Sequence, residues 1–179
     1  MDSSQEKIKD NSDLESILRV NHAGEFSAVK IYEGQLKVLS ESTIAPELHH
    51  MLDQESEHRN LFEAELKKRN IHPTLFQPLW GKISYGLGVG SALLGKKAAM
   101  ACTTAVEEVI EEHYKDQLDS FSKESPNDVK ALIHTCYQEE IEHKNIGIEY
   151  GASDMKGYKS FSKVIKVGCR AAIWLSKRL

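Results

Sequence analysis

The sequence predicts an all-α fold built around a bundle of four long helices. Three observations carry this. Apolar residues recur at helical spacing through most of the 179 residues, and no alternating strand pattern of useful length occurs. Only four prolines interrupt the chain, at 46, 73, 78 and 126, which leaves long stretches free to be helical. Two segments, Glu55-Ser56-Glu57-His58 and Glu140-Ile141-Glu142-His143, carry Glu-x-x-His, and a glutamate precedes each at similar distance: Glu25 lies 30 residues before Glu55, and Glu107 lies 33 before Glu140.

Composition fits one soluble globular domain over 1–179, with 1–12 expected to be flexible. Apolar residues make up 40% and charged residues 28%, which excludes a disordered chain. With 27 acids against 23 bases there is no basic excess, and nucleic acid is excluded as a partner. Cys102, Cys136 and Cys169 are odd in number, widely spaced and without a CxxC or CxxH pattern, so a reducing compartment is expected rather than a disulfide framework. The N-terminal MDSSQEKIKDNSDLES has no apolar core and is not Arg-rich, so the chain is expected to be made where it acts or to be a mature form. Charge is unevenly distributed. Residues 1–155 carry 16 bases and 27 acids, whereas 156–179 carry seven bases and no acid.

The elements follow in order. The spacing predicts helix 1 over 13–41, with Ser12 or Asp13 as its cap. Pro46 opens helix 2, which runs to Asn70, where Asn-Ile-His-Pro breaks it. The stretch from Pro78 to Gly95 is different, holding Trp80, Tyr85 and Gly81, Gly86, Gly88 and Gly90. Helix 3 is expected over 92–122 and helix 4 over 127–150, with Pro126 at the first turn of the latter. A loop around Gly151–Gly157 leads to a basic helix over 160–177.

Residues i and i+3 share a helix face, so the glutamate and histidine of each Glu-x-x-His can hold one metal ion. One Glu from each of two helices plus Glu-x-x-His from each of two others is the inventory of a di-iron carboxylate bundle. Helical phase selects the inward residues. Glu25 falls within the stripe of Leu14, Leu18, Ala28, Tyr32, Leu36 and Leu39, while Glu15 and Glu33 fall off it. Glu55 aligns with Leu48, Leu52, Phe62 and Leu66, and Glu57 points away. Glu140 and His143 lie among Val129, Leu132, Ile133, Cys136 and Gly147, and Glu142 points out. On helix 3, Glu107 lies about 60° from the centre of the stripe of Val106, Ile110, Tyr114 and Phe121, with Glu111 the runner-up and Glu108 and Glu112 on the far side. Any one of these glutamates alone reads as a solvated surface group. Four glutamates and two histidines on apolar stripes are costly to bury without a cation, and oxygen and imidazole donors without thiolate suit iron or manganese.

The sequence resembles the demethoxyubiquinone monooxygenase family, the di-iron hydroxylases of ubiquinone biosynthesis. The resemblance is carried by Arg19-Val20-Asn21-His22-Ala23-Gly24-Glu25, Asp53-Gln54-Glu55-Ser56-Glu57-His58, Pro78-Leu79-Trp80, Leu93-Leu94-Gly95-Lys96, Ala99-Met100-Ala101-Cys102-Thr103, Ala105-Val106-Glu107-Glu108, His113-Tyr114, Glu139-Glu140-Ile141-Glu142-His143, Gly168-Cys169-Arg170 and Ser176-Lys177-Arg178-Leu179. The first motif more often reads RVDHAGE in that family, so Asn21 is a mild departure. The resemblance implies a ferritin-like four-helix bundle with Glu25, Glu55, His58, Glu107, Glu140 and His143 as ligands of two Fe ions. It places His113 and Tyr114 near the metal with a part in electron delivery; from position alone His113 reads equally as a surface histidine and Tyr114 as core. His22 reads as a partner of Glu25 or as a helix residue only, and His49, His50, His72 and His134 as surface histidines.

The implied activity is hydroxylation of the 5-demethoxyubiquinone or quinol ring, with O2 as co-substrate and NADH or another reductant as electron source. Implied partners are a polyprenyl quinone, a membrane surface and a lipid-binding quinone-biosynthesis protein; a homo-oligomer is open, since the sequence does not give the oligomeric state. Location is expected at the cytoplasmic face of a bacterial inner membrane, peripherally attached. Residues 83–95 carry no charge but are too few to span a bilayer. They read as an interfacial segment, with Trp80 and Tyr85 at headgroup depth, or as a glycine-rich core turn. The basic helix, with Val164, Val167, Ala171, Trp174 and Leu175 on one side, reads as a lipid-facing amphipathic helix or as a bundle helix with a solvated face. Two other function classes share parts of this reading: a soluble ferroxidase or peroxidase of the ferritin–rubrerythrin type, and a non-catalytic quinone-binding protein.

Overall fold

The computed structural model describes residues 11–123 and 125–178. They form six helices: α1 (Asn11–Leu39), α2 (Ala45–Lys68), α3 (Gln77–Leu93), α4 (Lys96–Ser120), α5 (Asn127–Glu149) and α6 (Tyr158–Ser176), with a 3-10 turn at Ala152–Asp154. Among the described residues there is no strand. Of the segment expected to be flexible, Asn11 and Ser12 belong to the first turn of α1, and 1–10 lie outside the described residues.

Local chemistry sets the helix ends. Pro46 and Pro78 sit in the first turns of α2 and α3, where a missing backbone N–H costs nothing, and Pro126 caps α5. After α2, Asn70 adopts φ 55°, and Ile71 and Asn70 donate back to the carbonyls of Leu66 and Lys67 at 2.9 and 3.1 Å. This left-handed cap is one that asparagine tolerates, and it returns Ile71 to the core beside Leu66.

The architecture is two copies of one three-helix arrangement. The α1–α2 hairpin carries α3 against α1, and the α4–α5 hairpin carries α6 against α4; α2 also packs on α5. Two apolar clusters fill the four-helix bundle. One gathers Tyr32, Leu36, Leu48, Met51 and Met100, and the other Leu18, Phe62, Leu66, Val129 and Ile133. In chain order, Glu25, Glu55, Glu107 and Glu140 fall between the members of the two clusters, which places them at mid-height in the bundle.

Two expectations are corrected. The segment 83–95 is not a glycine-rich core turn: residues 83–93 make up the greater part of α3, and its glycines serve helix contact. A Cβ at Gly88 would lie 2.1 Å from the carbonyl oxygen of Ile31, and one at Gly34 would lie 2.4 Å from that of Tyr85, so α1 and α3 touch backbone to backbone there. The helix expected from residue 92 starts at Lys96, since Gly95, at φ 104°, ends α3 and turns the chain into α4. Trp80 Nε1 donates to Ser176 Oγ at 3.0 Å and ties α3 to α6.

The last helix packs on the bundle and leaves an apolar row exposed. Phe161, Ile165 and Cys169 pack on Ile31, Cys102 and Val106, while Val164, Val167 and Trp174 are exposed. Two of its bases, Lys166 and Arg170, pair with Glu108 and Glu112 of α4.

Gly88→Ala is expected to destabilise the protein by about 1–3 kcal/mol through overpacking. Gly86→Ala, on the exposed side of the same helix with nothing within 4 Å of its Cβ, should stabilise it by about 0.5–1 kcal/mol. Urea unfolding midpoints of the two variants check this; a shift of the same sign in both would contradict the packing described.

Candidate metal centre

All six predicted ligands meet at one place, and none is more than 2% exposed. They form two groups of four: Glu25, Glu55, His58 and Glu140, and Glu55, Glu107, Glu140 and His143. Within each group the donor atoms lie within 4.8 Å of one another, and Glu55 and Glu140 are common to both. His58 Nδ1 stands 3.3 Å from Glu25 Oε2 and 3.4 Å from Glu140 Oε1. His143 Nδ1 stands 3.0 Å from Glu55 Oε1 and 3.3 Å from Glu140 Oε2. The two imidazole centres are 6.4 Å apart.

Outer contacts orient this set in a twofold pattern. Tyr32 of α1 donates to Glu107 Oε1 of α4 at 2.7 Å, and Tyr114 of α4 donates to Glu25 Oε1 of α1. Each tyrosine follows the glutamate of its own helix by seven residues, two helical turns. The residue before each Glu-x-x-His binds the outer nitrogen of the opposite histidine: Glu139 Oε2 lies 2.7 Å from His58 Nε2, and Gln54 Oε1 lies 2.9 Å from His143 Nε2. With Nε2–H committed outward, Nδ1 of each ring is left as the inward donor.

The donor set fits divalent cations. Both oxygens of Glu55 and of Glu140, Oε2 of Glu107, and Nδ1 of His58 and His143 are buried without a hydrogen-bond partner. Leaving such atoms unpaired is costly, and a cation satisfies them together. Burial and then the neighbouring carboxylates push the carboxyl groups of Glu55 and Glu107 well above the usual range. Burial also works against ionised Glu140, but His143 and His58 override it and hold this carboxyl down to about 2. Burial disfavours charge on the two imidazoles as well, yet Cys136, Glu140 and Glu25 around His58, and Glu140 around His143, raise both. Without a cation, protons supply the positive charge. Two divalent ions would replace them against the four glutamates. Cys136 also borders Glu25 and His58, but burial pushes its thiol up to about 12, so oxygen and nitrogen remain the donors suited to iron.

Beside the cluster lies a largely apolar cavity of about 290 Å³ between α1, α3, α4 and α6. Its wall reaches from Glu25 and Tyr114, both buried, to Ile83 and Val164, both exposed. Glu107 and Tyr32, the counterparts across the twofold pattern, are not part of that wall.

The model of the family described as "Ubiquinone biosynthesis protein COQ7" matches residues 12–176. The chain belongs to the COQ7 family. It is 45% identical over 177 residues to a Dictyostelium discoideum protein named NADPH-dependent 3-demethoxyubiquinone 3-hydroxylase, mitochondrial, covering 98% of this chain and 81% of that one. It is 46% identical over 167 residues to the 3-demethoxyubiquinol 3-hydroxylase of Rhodospirillum rubrum, covering 93% and 78%. The Homo sapiens protein with the same name as the first is 41% identical, with 93% and 78% covered.

Within this COQ7-family chain the two glutamates left open by the helical phase of α4 lie in different surroundings. Glu111, the runner-up, is half-buried and bonded to Lys144, while Glu107 is in the cluster. His22 is buried but makes no hydrogen bond to Glu25; burial lowers its pKa, with Glu63 and Arg59 of α2 the next influences. His49, His50, His72 and His134 are exposed. Sequence reasoning missed Tyr32, Gln54 and Glu139 as supports of the ligands. The signal was present in the doubled Glu-x6-Tyr spacing and in the polar residue before each Glu-x-x-His.

Metal-free protein loaded anaerobically with Fe(II) is expected to take two ions per chain. Glu55→Ala or Glu140→Ala, each removing a residue common to both groups, should lose both ions, and Glu107→Ala should retain one; metal analysis after gel filtration reads this. Two ions retained by Glu140→Ala would contradict the arrangement. The protons held by the raised carboxyl and imidazole groups must leave when a cation enters. Affinity should therefore rise with pH, and acidification should release metal.

Proposed function

We propose that this chain is a di-iron monooxygenase that hydroxylates the ring of a demethoxyubiquinone or its quinol at a membrane surface. The observation that carries the reading is the apolar cavity meeting the carboxylate cluster at Glu25. Family membership and the relatives' names supply the substrate class. A ferroxidase or peroxidase of the ferritin–rubrerythrin type would share the ligands but have no use for such a cavity or for the apolar rows beside it.

The reaction replaces a ring C–H with C–OH. One atom of O2 enters the product and the other leaves as water, with two electrons and two protons from a reductant such as reduced nicotinamide. The iron pair, when bound, supplies the oxygen-activating redox chemistry that no side chain offers. The chain's own residues do the rest. The four glutamates and two Nδ1 atoms hold the ions, and Glu139 and Gln54 fix the imidazole orientation. Tyr114, stacked on Phe62 at 6.3 Å between ring centres, pins Glu25 by its hydroxyl and keeps the cavity wall in place. Electron delivery through His113 and Tyr114 belongs to this proposal, supported by their place in that wall. The apolar lining excludes water, which protects the reacting oxygen from side reactions.

A polyprenyl quinone is dissolved in lipid, so the open side of the cavity should face a membrane. No helix among the described residues is long and apolar enough to cross one. Attachment is therefore read as peripheral. Leu79, Ile83 and Leu93 on α3 and Val164, Val167 and Trp174 on α6 are exposed. Lys163 lies beside them, and Arg178 stacks on the Trp174 ring at 3.8 Å. This apolar surface with a basic margin suits an anionic interface. Several relatives are named as mitochondrial, so the membrane face is carried forward and the bacterial location is not.

Iron-loaded protein supplied with a short-tailed demethoxyquinone, reductant and heavy-isotope O2 is expected to yield the hydroxylated ring with one labelled oxygen. Glu140→Ala should abolish this, and normal turnover in that variant would refute the site. Sedimentation with anionic liposomes should fall at least about tenfold in Val164→Ser/Trp174→Ala, from the lost apolar burial. Unchanged sedimentation would refute the membrane face.

A further inference from the structure

Most polar groups on the cavity wall are already spent inside the protein. Tyr114 donates to Glu25, Trp80 donates to Ser176, and Ser27 donates to the Ala23 carbonyl at 2.8 Å. His113 is arranged differently. Its Nε2 lies 2.8 Å from Nε2 of Gln117, one turn further along α4. Gln117 is in turn locked to Asn21 of α1 by a reciprocal amide pair. Asn21 Nδ2 donates to Gln117 Oε1 at 2.9 Å, and Gln117 Nε2 donates to Asn21 Oδ1 at 2.8 Å. Both amides are buried, so neither can exchange its partner for bulk water.

The consequence for the imidazole is chemical. An amide nitrogen only donates, so His113 Nε2 must accept and carries no hydrogen of its own. Burial, with Lys177 adding to it, holds this imidazole down to about 3, so the ring is neutral and its one hydrogen sits on Nδ1. Nδ1 has no hydrogen-bond partner among the described residues, and the ring is part of the cavity wall. It is a donor held ready in an otherwise apolar surface.

We propose that Asn21 and Gln117 are positioning residues that hold His113 as an Nδ1–H donor to a carbonyl oxygen of a quinone ring in the cavity. This rests on the reading of the cavity as the ring site. A quinone oxygen only accepts, whereas a quinol hydroxyl can also donate. A fixed donor therefore suits both forms, whereas an acceptor in its place suits only the quinol. The pair spans α1 and α4, so the donor is set by two helices of the bundle rather than by α4 alone. Turning both amides over would keep their mutual bonds but would make Gln117 Oε1 accept from His113 Nε2–H. Nδ1 would then be an acceptor, and the tautomer of His113 reads out the proposal directly.

The test uses zinc-loaded protein, which is diamagnetic, with nitrogen-labelled histidine. Signals absent in His113→Gln assign the ring, and the Nδ1–H tautomer is expected. Binding of a short-tailed demethoxyquinone and, anaerobically, of its quinol is then measured. Gln117→Glu, whose carboxylate accepts from Nε2–H and reverses the tautomer, should weaken quinone binding by about tenfold, the worth of one hydrogen bond. It should change quinol binding less and leave metal content intact. Gln117→Met, similar in size but without the amide, should leave the tautomer unfixed and weaken quinone binding in the same direction. An Nε2–H tautomer in the unaltered protein overturns the proposal, as does a reversed tautomer with unchanged quinone affinity. Leu87→Trp, which fills the cavity from α3, separates the two levels of the argument. If it abolishes quinone binding while Gln117→Glu has no effect, only the positioning role falls. If quinone binding survives Leu87→Trp, the cavity reading falls with it.

Discussion

Four buried carboxylates, with Glu25 and Glu107 each grouped within 4.8 Å of Glu55 and Glu140, repel in a medium that screens them poorly, and the rest of the structure is arranged around that constraint. Apolar clusters on either side fix the helices that carry the carboxylates, so these groups cannot separate to relieve the repulsion. Positive charge must be supplied. Protons on the raised glutamates and imidazoles supply it in the absence of metal, and divalent cations would supply it better. Tyr32 and Tyr114 each donate to one terminal glutamate, while Glu139 and Gln54 turn the two imidazoles so that Nδ1 faces inward. Each of these contacts crosses from one helical hairpin to the other. The bundle and the site are thus stabilised by the same bonds.

The duplication makes the exceptions informative. The third helix of each unit packs on the outside of its first, α3 on α1 and α6 on α4. The cavity opens among these four, and it meets only the half of the cluster that contains Glu25 and Tyr114. A scaffold with a doubled pattern thereby acquires one face open to a cavity. The exposed apolar residues of α3 and α6 border that same side, which joins the proposed membrane contact to the proposed route for the ring.

Much of this was legible in the sequence because the site is made of residues at helical spacing. Glu25, Glu55, Glu107 and Glu140 share stripes with Leu18, Phe62, Tyr114 and Ile133, and a charged residue on an apolar stripe is visible from phase alone. What escaped was interaction between helices. The stretch with Gly86, Gly88 and Gly90 read as an interfacial segment or a glycine-rich core turn, because glycine disfavours an isolated helix. Their helix instead persists because α1 packs so closely that a side chain at Gly88 would collide with Ile31. Lys166 and Arg170 read as part of a lipid-facing charge, but they face Glu108 and Glu112 of α4, partners no local pattern reveals. Tyr32 counted only as an apolar stripe residue, since its hydroxyl finds Glu107 75 positions away.

The central claim is that the six ligands hold two iron ions as one unit through the shared Glu55 and Glu140. A Mössbauer spectrum of the iron-loaded protein after exposure to O2 tests it most directly. The arrangement predicts a spin-coupled diferric pair with a diamagnetic ground state. Isolated, magnetically uncoupled high-spin ferric ions would contradict it.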